Sequence, residues 1–337
     1  MRHSLRAYPA AAALILVLFG AILLPDAALA DGALAEPFKC SACHKDLIRG
    51  SVAHKPVAAG QCLKCHQQLS NDHPLGKGSM GFIIPKEKLC VSCHNTLLKK
   101  KYLHKPVGTG ECTGCHMAHS SENKLLLKDA PPALCYRCHP KEHFTGSHAH
   151  PPVANGECLS CHDAHQSDSK SLLRKPGSQL CFECHDAKIA VGKSVHGPVG
   201  TGECYLCHAP HASAYRKLLK ADLPTELYRP FSADAFPLCF SCHNPELASA
   251  NTEKATNFRN GERNLHAVHV NKPGKGRSCK MCHNPHAAAQ DRLIHPKSKG
   301  FGTWDIPIRF NTTATGGGCS VGCHKTFNYD RVKAVEQ

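Results

Sequence analysis

Every cysteine of this chain belongs to a pair, and every pair is followed at once by a histidine. The 22 cysteines form eleven runs. Ten read C-x-x-C-H; the eleventh, Cys319-Ser-Val-Gly-Cys323-His324, has one extra residue between its cysteines. Eleven disulfides would suit an exported chain, and Cys40/Cys43 with Cys62/Cys65 has zinc-ribbon spacing. Neither alternative needs a histidine after the second cysteine. Histidine makes up 26 of 337 residues, so finding it at all eleven places by chance is on the order of 10⁻¹². Covalent haem attachment does need it: two thiols add to the haem vinyl groups, and the adjacent imidazole lies beneath the iron.

The thioether candidates are therefore Cys40 and Cys43, Cys62 and Cys65, Cys90 and Cys93, Cys112 and Cys115, Cys135 and Cys138, Cys158 and Cys161. They continue with Cys181 and Cys184, Cys204 and Cys207, Cys239 and Cys242, Cys279 and Cys282, Cys319 and Cys323. The proximal candidates are His44, His66, His94, His116, His139, His162, His185, His208, His243, His283 and His324. The expected cofactor is haem c, about eleven per chain.

The runs recur in doublets. First cysteines stand 22 or 23 residues apart within a doublet, as from Cys40 to Cys62 or Cys135 to Cys158. The fifth doublet is stretched to 40 residues, Cys239 to Cys279, and Cys319 opens a final half-unit. Two further histidines keep fixed places. One precedes the second run by eight residues, in His54-Lys-Pro-Val, His104-Lys-Pro-Val, His150-Pro-Pro-Val and His196-Gly-Pro-Val. In the fifth doublet His269, ten residues ahead of Cys279, is the nearest match. The other follows the second proximal histidine by three, at His119, His165, His211 and His286. An apolar pair comes seven residues later: Leu126-Leu127, Leu172-Leu173, Leu218-Leu219 and Leu293-Ile294. The first doublet offers His73 instead.

A lone histidine of this kind is usually a surface or hydrogen-bonding residue. The same placement in successive units makes it a candidate distal ligand. With His295 for the eleventh haem, these residues suffice for two histidines on every iron, and His143, His148 and His266 are left over. A histidine three residues from a proximal one is badly placed to reach the far face of the same haem, so it points to a neighbour. Spacing does not say which distal histidine serves which haem. Methionine ligation has little support, since Met117 adjoins a proximal histidine, Met281 lies inside a run and only Met80 is free.

Apart from cysteine, the chain has little to bury. One Trp and 12 Phe must serve 337 residues, and 26 Gly with 23 Pro break up long elements. Such a chain cannot easily offset its ordering entropy with side chains alone. Haem is then the core, and the haem-free polypeptide is expected to be largely unfolded. The expected fold is a multihaem cytochrome c with little regular secondary structure. Short helices and turns would wrap a quasi-linear haem chain, the Pro-Val and Leu-Leu elements lying on macrocycle faces.

The formal charge of +15 invites a nucleic-acid reading, which the cofactor removes. Without Arg2, Arg6 and Asp26 the remainder carries +14. Eleven haems with ionised propionates, at one negative charge each when ferric and two when ferrous, take it to about +3 and about −8. The basic residues are propionate partners, and nucleic acid is not an expected partner.

Residues 1–30 read as a signal peptide: Arg2 and Arg6, an apolar run from Ala11 to Leu24, and an Ala28-Leu29-Ala30 cleavage site. The expected organisation is then four doubled repeats over 31–220, the stretched doublet over 221–298, and a half-unit over 299–337.

The pattern C-x-x-C-H … H-x-P-V-x-x-G-x-C-x-x-C-H-x-x-H … L-L resembles the doubled-CXXCH multihaem cytochrome c family, closely from Cys40 to about Leu219 and loosely from Cys239 to Ile294. The resemblance implies respiratory electron transfer in the periplasm, at the outer membrane or at the cell surface. It implies a periplasmic or inner-membrane cytochrome as donor and an outer-membrane porin–cytochrome or a mineral as acceptor. Assembly into a filament is a further possibility of the family. The rival expectation is an enzyme, a multihaem oxidoreductase with one open-site haem. Such enzymes often carry C-x-x-C-K or lack a distal ligand; the first is absent here and distal candidates are in surplus, so no catalytic residue is expected.

Overall fold

The computed structural model describes residues 39–249, 255–300 and 302–336. The expected signal peptide lies outside the described residues. Among those described, the longest helix is Leu265–Val270, with six residues, and no helix is long and apolar enough to cross a membrane. Nine of the eleven haem runs close a single turn, the histidine N–H donating to the first cysteine's carbonyl, at 2.9 Å for His44 and 3.1 Å for His162; at the Cys62 run the Cys65 N–H closes the turn instead, at 3.2 Å.

The H-x-P-V segments show why helices start and stop so quickly. His54, His104, His150 and His196 are extended N-cap residues, with proline in the first turn of each four-residue helix. Proline fits there because its missing N–H would have no helical partner. Each helix then ends at a glycine of positive φ, Gly60, Gly110, Gly156 or Gly202.

Successive units are laced together by strand pairs of two residues. Val52–Ala53 pairs with Ser120–Ser121, Tyr102–Leu103 with Gln166–Ser167, His148–Ala149 with Ala212–Ser213, and Ser194–Val195 with Ala287–Ala288. At each crossing the segment ahead of one unit's second run meets the segment behind the next unit's second run. A backbone bond joins the two histidines that follow: His54 N–H to the His119 carbonyl at 2.8 Å, then His104 to His165, His150 to His211, and His196 to His286.

The fifth doublet departs from this pattern. Ala235 and Phe236 just ahead of it, with Ala248 and Val270 of its stretched segment, form a small apolar core against which Cys239 and Cys279 pack. The end of the chain is a four-stranded antiparallel sheet of Lys297–Lys299, Asp305–Thr312, Gly316–Val321 and His324–Asp330. The eleventh run therefore lies on a β-hairpin, where Val321 pairs with His324, and not on a helical turn. The sheet is an element that the glycine-rich sequence did not announce. The expectation of little regular structure holds elsewhere.

Candidate functional site

A continuous cavity of about 4290 Å³ runs the length of the described chain. Ordinary small-molecule sites hold about 300–1,000 Å³, so this one suits a row of large groups. All eleven proximal candidates line it, and so do both residue types expected on macrocycle faces, such as Pro56, Val57, Leu126 and Leu127. Of the remaining described histidines, His143 and His148 alone stand outside it.

No cysteine among the described residues is in a disulfide, and the thiols of successive runs influence one another. Burial and then the Cys112 thiol push Cys90 up to about 11, with Cys65 adding to the effect. Cys135 is likewise raised to about 11 by burial, then by Cys158 and Cys115. First cysteines of a doublet share side-chain hydrogen bonds, Cys40 with Cys62, Cys181 with Cys204 and Cys239 with Cys279. Between doublets the coupling is electrostatic and involves the second cysteine, as from Cys161 to Cys184, Cys207 to Cys242 and Cys282 to Cys319.

Histidine rings face each other across the cavity in ten pairs. They are His44 with His73, His54 with His94, His66 with His119, His104 with His139 and His116 with His165. The series continues with His150 and His185, His162 and His211, His196 and His243, His208 and His286, and His266 and His283. Ring centres lie 5.9 Å apart at the closest and 6.3 Å at the widest. Two metal–imidazole bonds of about 2 Å, with about 1 Å more to each ring centre, span about 6 Å. The residues therefore fit a hexacoordinate haem at each of these ten runs. Most rings are close to parallel; where Phe144 packs on His211 at 5.0 Å, the pair tilts to 43°.

Hydrogen bonds aim these rings. His104, His150 and His196 donate Nδ1–H to the carbonyls of Ala164, Pro210 and Pro285 at 3.0–3.1 Å. His116, His162, His208 and His283 donate to the carbonyls nine residues on, Leu125, Ser171, Lys217 and Arg292, at 2.9 Å. Each fixes the tautomer that leaves Nε2 free for a metal. Burial, then the facing ring, lowers the pKa of His119, His165, His211 and His286 and brings His266 down to about 4. These imidazoles are neutral near pH 7, the form that binds iron.

His266 was among the histidines left over in the sequence, yet it is the ring that the structure sets opposite His283. His266 and His269 sit three residues apart on Leu265–Val270, and Thr256 Oγ1 holds His266 Nδ1 at 2.8 Å. His295, expected at the eleventh run, instead directs its ring to the His283 carbonyl. Among described residues, His324 faces Phe327 at 4.8 Å and no second imidazole at stacking distance. The carbonyl hooks were not legible from sequence. They depend on paired residues of positive φ, such as Leu125 and Leu126 or Ser171 and Leu172, and the recurring apolar pair marks their place.

The doubled CXXCH motif family matches residues 54–99, 104–144, 150–190 and 196–248, together more than half of the chain. No curated protein matches it. The four matches straddle the sequence doublets. Each contains one complete facing pair: His54 with His94, His104 with His139, His150 with His185, and His196 with His243. Covalent haem c and electron transfer follow from these motifs, and the chain belongs to the doubled-CXXCH family of multihaem c-type cytochromes.

Proposed function

We propose that this cytochrome carries eleven haems in one unbranched row that follows the sequence, and that it passes respiratory electrons outward across the periplasm and outer membrane. The series of ten facing imidazole pairs carries the reading. A haem iron held by two histidines changes charge by one electron and has no open position for substrate. Hydrogen bonds within doublets and electrostatic coupling between them support the order, since they lead from Cys40 to Cys319 through each run in turn. Carbonyl bonds set the tautomer of seven of these imidazoles, and ten runs have an imidazole on each side.

The leader in residues 1–30 supports export. The partners that fit are redox proteins: a periplasmic or inner-membrane cytochrome as donor, and an outer-membrane porin–cytochrome or a mineral as acceptor. Self-association into a filament fits the same wire. Intact-mass measurement and low-temperature electron paramagnetic resonance of the ferric protein test the reading together. The expected result is eleven haems, all low-spin. A high-spin signal of about one haem per chain would instead support a reductase with an open iron at His324, the run whose proximal ring meets Phe327.

A further inference from the structure

Adjoining units exchange rings. The histidine ahead of the second run, His54, faces His94 at the first run of the next unit. That next unit returns His119 to His66, at the second run of the unit before. His104 and His165, His150 and His211, and His196 and His286 repeat the exchange at the following three junctions. The rule leaves two runs at the ends of the array without a donor. By this rule the runs from Cys40 to Cys323 send no histidine to His44 and return none to His283. Local residues fill both places, His73 beside Ser79 Oγ and His266 beside Thr256 Oγ1.

We infer that the exchange runs one step beyond the fifth doublet, so that His269 is the distal ligand at His324 while His266 closes the site at His283. This assignment rests on the multihaem reading above and names the ligands within it. His269 is the fifth doublet's counterpart of His54, and its rule-given target is the first run of the next unit, which is Cys319 to His324.

Local geometry supports the step. Nδ1–H of His269 donates to the Leu265 carbonyl at 2.7 Å, which leaves Nε2 free. His269, Cys319, Cys323 and His324 line the same cavity. The segment leading into its helix is tied to the strand that His324 opens: Gly261 N–H donates to the Asp330 carbonyl at 2.7 Å, and Phe258 packs edge-on against Tyr329 at 5.0 Å. Phe258 also stacks on His269 at 6.0 Å. His295 is drawn the other way, with its N–H on the Cys282 carbonyl at 2.8 Å and its ring on that of His283.

The test is made on the full holoprotein and on a ten-haem background, C319A/C323A, by electron paramagnetic resonance with intact mass as the haem count. In the full chain, H269A is expected to turn one haem in eleven high-spin without loss of haem. In the ten-haem background, H269A is expected to add no high-spin signal, whereas H266A adds one in both. H269M, which keeps a ligand, is expected to stay low-spin with one altered signature, and it replaces H269A should that variant fail to mature. A new high-spin haem from H269A in the ten-haem background, or none in the full chain, would overturn the assignment. A mass short of eleven haems in the unaltered chain would sink the eleven-haem reading itself, and this outcome is scored separately.

Discussion

Two residues ahead of the second haem run in each of the first four doublets stands a glycine, and its four copies are not under the same constraint. All have positive φ, from +68° at Gly60 to +76° at Gly202. A Cβ on Gly110 would lie 2.4 Å from the Glu87 carbonyl oxygen, and one on Gly156 would lie 2.7 Å from the Pro132 ring, whereas one on Gly60 meets nothing within 4 Å. Gly110 thus lets the second run of its doublet close on the segment that leads into the first, which is how Cys90 and Cys112 come together. Gly60→Ala should cost only the left-handed backbone, about 1 kcal/mol. Gly110→Ala adds a backbone clash and should cost roughly 3 kcal/mol. Denaturant midpoints of the two holoproteins check this ranking; equal midpoints would mean that the close approach does not matter to stability.

At the scale of elements, the lacing pairs are too short to persist by themselves, since isolated two-stranded hairpins are at best marginal. Their strength has to come from the ligand exchange beside them. His104 and His165 share a backbone bond of 2.8 Å yet face opposite ways, to His139 and His116. Replacing either by alanine opens one haem and frees one side of the clip, so the second replacement has less left to break. The expected double-mutant cycle is non-additive by about 0.5–3 kcal/mol, measured on unfolding midpoints of H104A, H165A and the pair. Additive losses would mean that each haem site stands alone. Much of this was legible in the sequence: the haem runs, the spare histidines at fixed offsets, and the scarcity of regular structure. The His266 position was not, because a repeat offset cannot show which of two residues on a short helix faces the neighbouring ring. The final sheet was also hidden, since Gly316-Gly-Gly before Cys319 has no alternating pattern and is held by pairing with Asn311, Thr312 and Tyr329.

For the whole molecule, the deciding quantity is the charge that the protein sets against its cofactors. Lysine and arginine exceed aspartate and glutamate by 15, and ion pairs among described residues engage only seven of these cations: Arg49, Arg137, Lys175, Lys193, Arg229, Lys297 and Lys299. Arg174, Arg259 and Arg331 bond backbone carbonyls, and basic residues outside these contacts are the ones expected to meet haem propionates. On the proposed reading, eleven ferric haems would bring the chain without its expected leader to about +3, and eleven electrons would then carry it to about −8. The protein should therefore reverse its sign at neutral pH when it fills with electrons. Long-range fields steer association at low ionic strength and are screened within about 10 Å at 0.1 M salt. An anionic donor surface would thus hold the oxidised form and release the reduced one. Electrophoretic mobility at pH 7, measured under air and under excess reductant, checks this directly. Migration toward the cathode when oxidised and toward the anode when reduced is the expected outcome. Mobility of one sign in both states would mean that fewer haems are bound, or that protons taken up on reduction cancel the added charge.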